Sequence, residues 1–322
     1  MSNKLVSIAM CTYNGERFIN EQLDSILNQT YKNLEIIITD DCSSDKTVEI
    51  IREYEKSDSR IKFHQNEKNL GFVKNFEKAI SFCSGEYIAL ADQDDIWKLN
   101  KLEVFLDEIE DNVLIYSDAI LIDADGNETG NQLIRPSGCL VRGKCNKAFF
   151  LRNCVSGNTL MFKKELVEHI MPIPSEMSYH DIWIAFVAST YGTITYTEEP
   201  MTYYRRYAEQ VTSAPPVVYK NFPDKLKQKK AVRVDAGNVF VKDLNVFLTL
   251  KILKDEDTIK IIKLLIEHFR HHEHTYYHRE LHKILKKYRD EVFAIMRPSK
   301  RKRRAFRTSV GLKLRTMTLF KL

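Results

Sequence analysis

The chain has 322 residues, is 43% hydrophobic and 29% charged, and carries a formal net charge of +5. This is enough apolar sequence for a sizeable packed core, which excludes disordered, collagen-like and disulfide-rich miniature classes. The positive charge sits at one end: residues 297–322 hold ten basic and no acidic side chains, and taking those ten away leaves 39 basic against 44 acidic, a net charge of −5.

The stretch Leu5–Thr12 reads as a buried strand. It runs straight into Tyr13-Asn14-Gly15-Glu16 with no small-residue cleavage site, so it is not read as a signal peptide. Ile19, Leu23, Ile26 and Leu27 recur at helical spacing. Leu34–Thr39 is a second strand ending at Asp40-Asp41, and Val48, Ile51 and Tyr54 mark the next helix. Ile61–His64 is a short strand, and Phe72, Phe76, Ala79, Ile80 and Cys83 stripe a third helix. Tyr87–Ala91 is a fourth strand closing at Asp92; Leu99, Leu102, Leu106 and Ile109 stripe a further helix before a strand at Leu114–Ser117. Alternating strands and helices argue for a mainly parallel sheet with helices on both faces, whose ligands bind beyond the carboxyl ends of the strands. Later come a hairpin turn at Asp125-Gly126, a strand at Asn158–Phe162, an apolar helix at Asp181–Thr190, and short strands at Thr193–Tyr196 and Met201–Tyr204. Pro215-Pro216 marks a boundary to a mostly helical, charged region. The expected division is 1–214, 215–296 and a basic tail, 297–322.

No apolar run approaches the ~20 residues of a membrane-spanning helix. The six cysteines form no CxxC pair, which argues against a zinc site and suits reduced thiols in cytoplasm. His274, His278 and His282 lie four apart, which gives either a transition-metal face or a solvated helix.

Three strand ends carry the polar residues suited to chemistry. Asp92, Asp94 and Asp95 crowd into four positions after an apolar strand. In extended backbone Asp92 and Asp94 would point the same way, and an all-oxygen pair suits Mg²⁺ or Mn²⁺ shared with substrate phosphates. The bland alternative is an acidic turn capping the next helix. At Asp40-Asp41-Cys42-Ser43 a carboxylate could accept the N3–H of a uracil or thymine, or merely cap a helix. Tyr13 could stack on a base, or be a tyrosine at the edge of the core.

Together these residues resemble the family 2 glycosyltransferases of GT-A fold. The markers are Ala9-Met10-Cys11-Thr12-Tyr13-Asn14-Gly15, Gln29-Thr30-Tyr31, Asp40-Asp41-Cys42-Ser43, Asn69-Leu70-Gly71, Ser84-Gly85-Glu86 and Leu90-Ala91-Asp92-Gln93-Asp94-Asp95-Ile96-Trp97. They span Val6 to about Thr212, and the last looks most like non-processive, rhamnosyltransferase-like members that build bacterial surface polysaccharides. The resemblance implies that Thr12, Tyr13 and Asp41 hold the nucleotide base, and that Asp94 with Asp92 sits at a divalent cation (Mn²⁺ or Mg²⁺) and the diphosphate. It implies inversion by a carboxylate base, matched here by Asp181 in Tyr179-His180-Asp181-Ile182-Trp183, with His180 either near the acceptor or a plain helix-start histidine. Asn153–Asn158 resembles the small-residue loop beneath the donor sugar, where Gly157 would let backbone approach the ligand. Tyr203–Thr212 resembles a mobile loop, with Tyr207 in place of its histidine and Arg205 and Arg206 as candidate diphosphate clamps. The processive Gln-x-x-Arg-Trp motif is absent.

The expectation is one sugar moved from a UDP- or dTDP-sugar to a lipid-linked or cell-surface glycan. The enzyme would be cytoplasmic, held at the inner face of the cell membrane by a basic tail on anionic lipid. In that tail Phe306, Val310, Leu314 and Met317 have helical spacing. A nucleotidyltransferase would want a glycine-rich basic phosphate loop near the first strand, which is missing. A nucleic-acid-binding protein would want a basic face on a body that instead carries −5, so no nucleic acid partner is expected.

Overall fold

The computed structural model describes residues 4–208, 210, 222–271 and 274–310. In chain order the elements are β1 (Val6–Thr12), α1 (Ile19–Leu27), β2 (Leu34–Asp40), α2 (Thr47–Ser57), β3 (Ile61–Gln65), α3 (Phe72–Phe82), β4 (Tyr87–Asp92), β5 (Ile96–Trp97), α4 (Lys101–Glu108), β6 (Leu114–Tyr116), β7 (Ala119–Ile122) and β8 (Glu128–Gln132). There follow β9 (Leu160–Lys163), α5 (Val167–Ile170), α6 (His180–Tyr191), β10 (Ile194–Tyr196), β11 (Thr202–Arg205), α7 (Phe222–Phe247), α8 (Glu256–His271), α9 (Arg279–Lys287), α10 (Arg289–Val292) and α11 (Pro298–Thr308).

The main sheet has seven strands in the order β10-β6-β9-β4-β1-β2-β3. Pairing is parallel except at β9, which runs antiparallel to both β4 and β6. β1 and β2 are buried along their whole length, as a strand covered on both faces must be, which is why their sequences are mostly apolar. One apolar cluster lies between the sheet and α3 and α6, and another between the sheet and α1, α2 and α4. The mainly parallel, doubly covered sheet thus has the expected form.

A second sheet, β5-β11-β7-β8, was legible in the sequence only at the strand read as Met201–Tyr204 and at the Asp125-Gly126 turn. Its strands have two to five residues, and β8 is largely exposed, so they show little apolar pattern. The Asp125-Gly126 turn does join a hairpin, β7 to β8, with Gly126 at φ +85°.

The helical C-terminal region is not a detached unit. Leu244, Phe247, Ile261, Leu265 and Leu285 belong to the same apolar cluster as Phe76 and Phe186, and Phe247 stacks on Phe186 at 3.9 Å. The basic segment differs from a free tail as far as Val310: α11 packs on α9 and α10, with Ala305 and Val310 buried. Phe306 is exposed while Val310 is buried, so they share no open apolar face; Leu314 and Met317 lie outside the described residues. The histidine spacing does not make a helix face either. α9 begins at Arg279, His278 caps it by accepting the Leu281 N–H at 3.1 Å, and His282 bonds Ser309 at 3.1 Å.

Candidate active site

Parallel pairing brings three strand ends to one level, with Thr12 opposite Asp40 and Cys11 opposite Asp92. The Thr12 hydroxyl donates to Asp40 at 3.0 Å, and Asp40 also accepts the Ser43 N–H at 2.9 Å. Asp40 therefore folds the turn. Asp41 accepts from the Asn66 amide at 2.9 Å, the Leu70 N–H at 2.7 Å and the Gly71 N–H at 2.8 Å. It is only 3% exposed and closes the entry to α3, so it has a structural duty besides any ligand it reads. Tyr13 presents a largely exposed ring. Its backbone is clamped by Gln93, which accepts its N–H at 2.8 Å and donates to its carbonyl at 2.9 Å. Gly15 makes room for that clamp, since a Cβ there would lie 2.3 Å from Gln93 Oε1. Sequence reasoning gave Gln93 no role, because a glutamine between two aspartates carries no pattern of its own.

The three carboxylates of the acidic cluster have different surroundings. Asp95 is fully buried, accepting from the Arg205 N–H at 3.0 Å and from the Asn158 amide. Burial, then the charges of Asp94 and Asp92, push its carboxyl well above the usual range. Asp94 accepts from the Tyr207 hydroxyl at 2.7 Å and the Gln210 amide at 3.5 Å; burial raises it and the Tyr207 bond pulls the other way. Asp92 is raised to about 7 by burial, then by the charges of Asp94 and Asp181. Asp94 lies in a turn rather than in extended backbone, so the pair meets through the turn and not through the strand pleat as expected.

Beneath the cluster lies Lys101, which the sequence reading overlooked. Its ammonium is fully buried, donates to the Asn158 carbonyl at 2.7 Å and the Thr202 hydroxyl at 3.1 Å, and sits 3.6 Å from the Trp97 ring centroid. Burial lowers its pKa well below the usual lysine value, against the pull of Asp95 and Asp92. A lysine opening an amphipathic helix reads as a solvated residue, so only the tertiary structure reveals it.

Asp181 opens α6, where the helix dipole favours an anion. It accepts the Ile182 N–H at 2.5 Å. Burial raises its carboxyl to about 7, against the Gly157 N–H and the Asn153 side chain. Its charge adds to the rise at Asp92, so the two carboxyls lie within electrostatic reach of each other. His180 is buried and stacks on Phe76 at 4.0 Å, with neither ring nitrogen hydrogen-bonded. Burial drops its pKa to about 3, so the ring is neutral.

Three expected pocket residues have other duties. The Arg205 guanidinium is 1% exposed and fully engaged by Glu21 at 2.6 Å and by the carbonyls of Asp94 at 2.9 Å and Ala124 at 3.1 Å. It holds the acidic turn from behind and is not free to clamp a diphosphate. Asn158 is buried between Asp95 and Lys101. Gly157 is needed for packing: a Cβ there would lie 2.8 Å from His180 Nε2. Arg206 remains exposed, its guanidinium 4.9 Å from the Tyr204 ring centroid.

Among the described residues, no three or more His, Cys, Asp or Glu side chains converge on one metal position. Asp92 and Asp94 nevertheless fit a hard divalent cation of the kind that completes its shell with phosphate oxygens. They are oxygen donors, and burial holds both carboxyls up, with the charge of Asp94 adding to the rise at Asp92, a strain that a cation would relieve.

Comparison with known proteins bears on the family and the fold. A glycosyltransferase of Haemophilus influenzae is 28% identical over 273 residues, 81% of this chain and 84% of that protein. The Escherichia coli UDP-Glc:alpha-D-GlcNAc-diphosphoundecaprenol beta-1,3-glucosyltransferase WfgD is 45% identical over 104 residues, 32% of this chain and 40% of that protein. Among solved structures, S. aureus TarS 1-349 in complex with UDP-GlcNAc superposes with a TM-score of 0.59 at 18% identity, covering 95% of this chain and 88% of that one. The mannosyltransferase PcManGT from Pyrobaculum calidifontis, in complex with GDP-Man and Mn²⁺, gives 0.54 at 16% identity over 83% of this chain and 69% of that one. These likenesses establish the GT-A fold. The family model described as glycosyl transferase family 2 matches residues 7–170, just over half of the chain, and the protein belongs to that family.

Proposed function

We propose that the protein transfers one sugar, with inversion, from a UDP- or dTDP-sugar to a hydroxyl of a lipid-linked or cell-surface glycan precursor. The observation that carries this reading is the gathering of Thr12, Asp41, Asp92 and Asp94 at adjoining strand ends, with the Asp181 carboxyl at the start of α6 close enough for its charge to raise Asp92. Asp181 takes the acceptor hydroxyl proton as the new C1–O bond forms. On the opposite face of C1 the bond to the diphosphate breaks, and the nucleoside diphosphate leaves with its electron pair. A divalent cation at Asp92 and Asp94 would supply charge stabilisation to that leaving group. Thr12, Tyr13 and Asp41 take the base, with Tyr13 stacking and Asp41 using the acceptor capacity its three donors leave.

The reading is tested by thermal shift with UDP-, dTDP- and GDP-sugars in the presence and absence of Mn²⁺. One nucleotide class should stabilise the protein in a metal-dependent way, and Asp94→Asn should abolish the metal dependence. An unchanged response in Asp94→Asn sinks the metal assignment.

The relatives WfgD and TarS carry names that involve a diphosphoundecaprenol acceptor and a UDP-sugar. A lipid-linked acceptor requires the enzyme to work at the inner face of the membrane. α11 supports that placement, with Lys300, Lys302 and Arg303 exposed, and with half-exposed Phe306 beside Tyr277 at 6.1 Å. Each cation held near anionic lipid contributes about 1 kcal/mol. Replacing Lys300, Lys302 and Arg303 together by Gln should greatly reduce sedimentation with anionic vesicles at low salt while leaving donor binding intact. Equal sedimentation rejects α11 as the contact.

A further inference from the structure

The stripe Phe72, Phe76, Ala79, Ile80 is what a buried helix face looks like, yet its first member is not buried. Phe76, Ala79 and Ile80 are 2%, 0% and 1% exposed, whereas Phe72 is 39% exposed. Phe72 meets Tyr179, itself 45% exposed, with ring centroids 5.7 Å apart and planes 35° apart. Behind them His180 packs on Phe76 at 4.0 Å and edge-on to Phe72 at 6.1 Å. The result is an aromatic shelf with a buried back and an open front, at the entrances to two helices, α3 and α6.

Three observations say what the shelf faces. Tyr179 is the N-cap of α6, two residues before Asp181, so the shelf borders the carboxyl that would take a proton from the acceptor. Phe72 follows directly on Leu70 and Gly71, whose N–H groups bond Asp41, so the loop that carries it is fixed from the nucleotide side. Asp94 at 7% and His180 at 6% exposed are buried, while the two shelf rings are open to solvent. The buried positions are carboxylates, suited to a divalent cation and through it to an anionic donor. The shelf is carbon and suits an uncharged ring that arrives from solvent.

We infer that Phe72 and Tyr179 form the acceptor platform, binding a pyranose ring by its apolar face beside Asp181. A pyranose presents axial C–H bonds on one face, and these lie favourably against the electron-rich face of an aromatic ring. Its hydroxyls remain at the ring edge, where one can reach Asp181. This rests on the glycosyltransfer reading above and adds to it where the acceptor sits and that its recognised unit is a sugar rather than a lipid chain.

The test uses the full chain with UDP and Mn²⁺ present, and saturation-transfer NMR with methyl β-D-glucopyranoside, methyl N-acetyl-β-D-glucosaminide and decyl phosphate as probes. At least one glycoside should show strong transfer to the protons of a single ring face. Phe72→Ala/Tyr179→Ala should lose most of that signal, and Phe72→Trp should keep it. The variants' response to UDP and Mn²⁺ by thermal shift should match wild type, which also checks their folding. The proposal is overturned if neither glycoside shows transfer, if the double variant keeps the signal, or if only decyl phosphate responds. Loss of the UDP response with the glycoside signal kept would also reject it, and would assign the shelf to the donor. Absence of any UDP response in wild type would count against the glycosyltransfer reading itself.

Discussion

Two carboxylate sites at opposite ends of the same sheet behave in opposite ways. At the start of β2, Glu35 accepts from the Ser7 hydroxyl at 2.6 Å, the Ser84 N–H and hydroxyl at 2.7 Å, and the Lys62 ammonium at 2.6 Å. Burial pushes its carboxyl up, but these donors outweigh burial and hold it at about 2. At the far ends of the strands Asp92 has Asp94 and Asp181 as neighbours, and burial with like charge lifts it to about 7. A carboxylate supplied with donors serves the fold. One kept among like charges is destabilising by itself, and on the function proposed above it is the end that meets ligand. The sheet thus separates its stabilising end from its reactive end by the length of its strands.

The sharpest way to break this comparison is to remove one charge from each end. Asp181→Asn should lower transfer by about 10²–10⁴-fold, the range of a general base, with donor binding kept. Because the Asp181 carboxyl is raised, its ionised form costs stability above pH 7 and that cost is relieved as pH falls through about 7. Asp181→Asn should therefore melt no lower than wild type at pH 8. The same raised carboxyl requires wild-type transfer to fall below about pH 7, where the base is protonated. A variant that turns over normally, or a wild-type rate flat from pH 5.5 to 8, removes Asp181 from the role of base.

Lys101 is a buried ammonium beneath the reactive end, and its removal should have the next largest effect. Lys101→Met leaves the Asn158 carbonyl and Thr202 hydroxyl without their donor and the acidic cluster without its internal cation. A loss of roughly 2–4 kcal/mol is expected, read by urea unfolding at pH 8. A loss under 1 kcal/mol would show that the cluster does not depend on this cation.

The sequence revealed what periodicity and strand-end position can encode. β1, β2 and β4 are buried along nearly all their length, so their runs are unmistakable, and the polar residues that end them had to lie at the crevice. What it concealed was which polar residue faces ligand and which faces protein. Asp92 and Asp95 are three positions apart in one motif, yet Asp95 is spent on Arg205 and Asn158. Arg205 and Arg206 are adjacent, yet one is 1% exposed and the other open. Strand alternation at the end of β11 decides that, and β11 was too short to be phased from its apolar pattern. Phe72 misled in the opposite sense: helical spacing placed it in the core, and only the turn of α3 relative to α6 leaves it out.

Glu35→Gln is the smallest of these changes and the control for all of them. The carboxyl is lowered in the folded state from its ordinary value of 4.5 to about 2, so its contribution to stability is fully present above pH 4.5. It is lost as pH falls from there towards 2. The shift corresponds to at most about 3 kcal/mol, and glutamine retains part of the hydrogen bonding, so about 1–2 kcal/mol should be lost at pH 7. The difference between variant and wild type should shrink on acidification below pH 4, which urea melts at pH 7 and pH 3.5 can measure. Transfer should be unchanged, since Glu35 lies at the opposite strand ends from Asp92. Equal stability at pH 7 would show that the donors around Glu35 serve a neutral amide as well as an anion. A loss of transfer at full stability would be the more serious result, because it would mean that the two ends of the sheet are coupled and that the division between a stabilising and a reactive end fails.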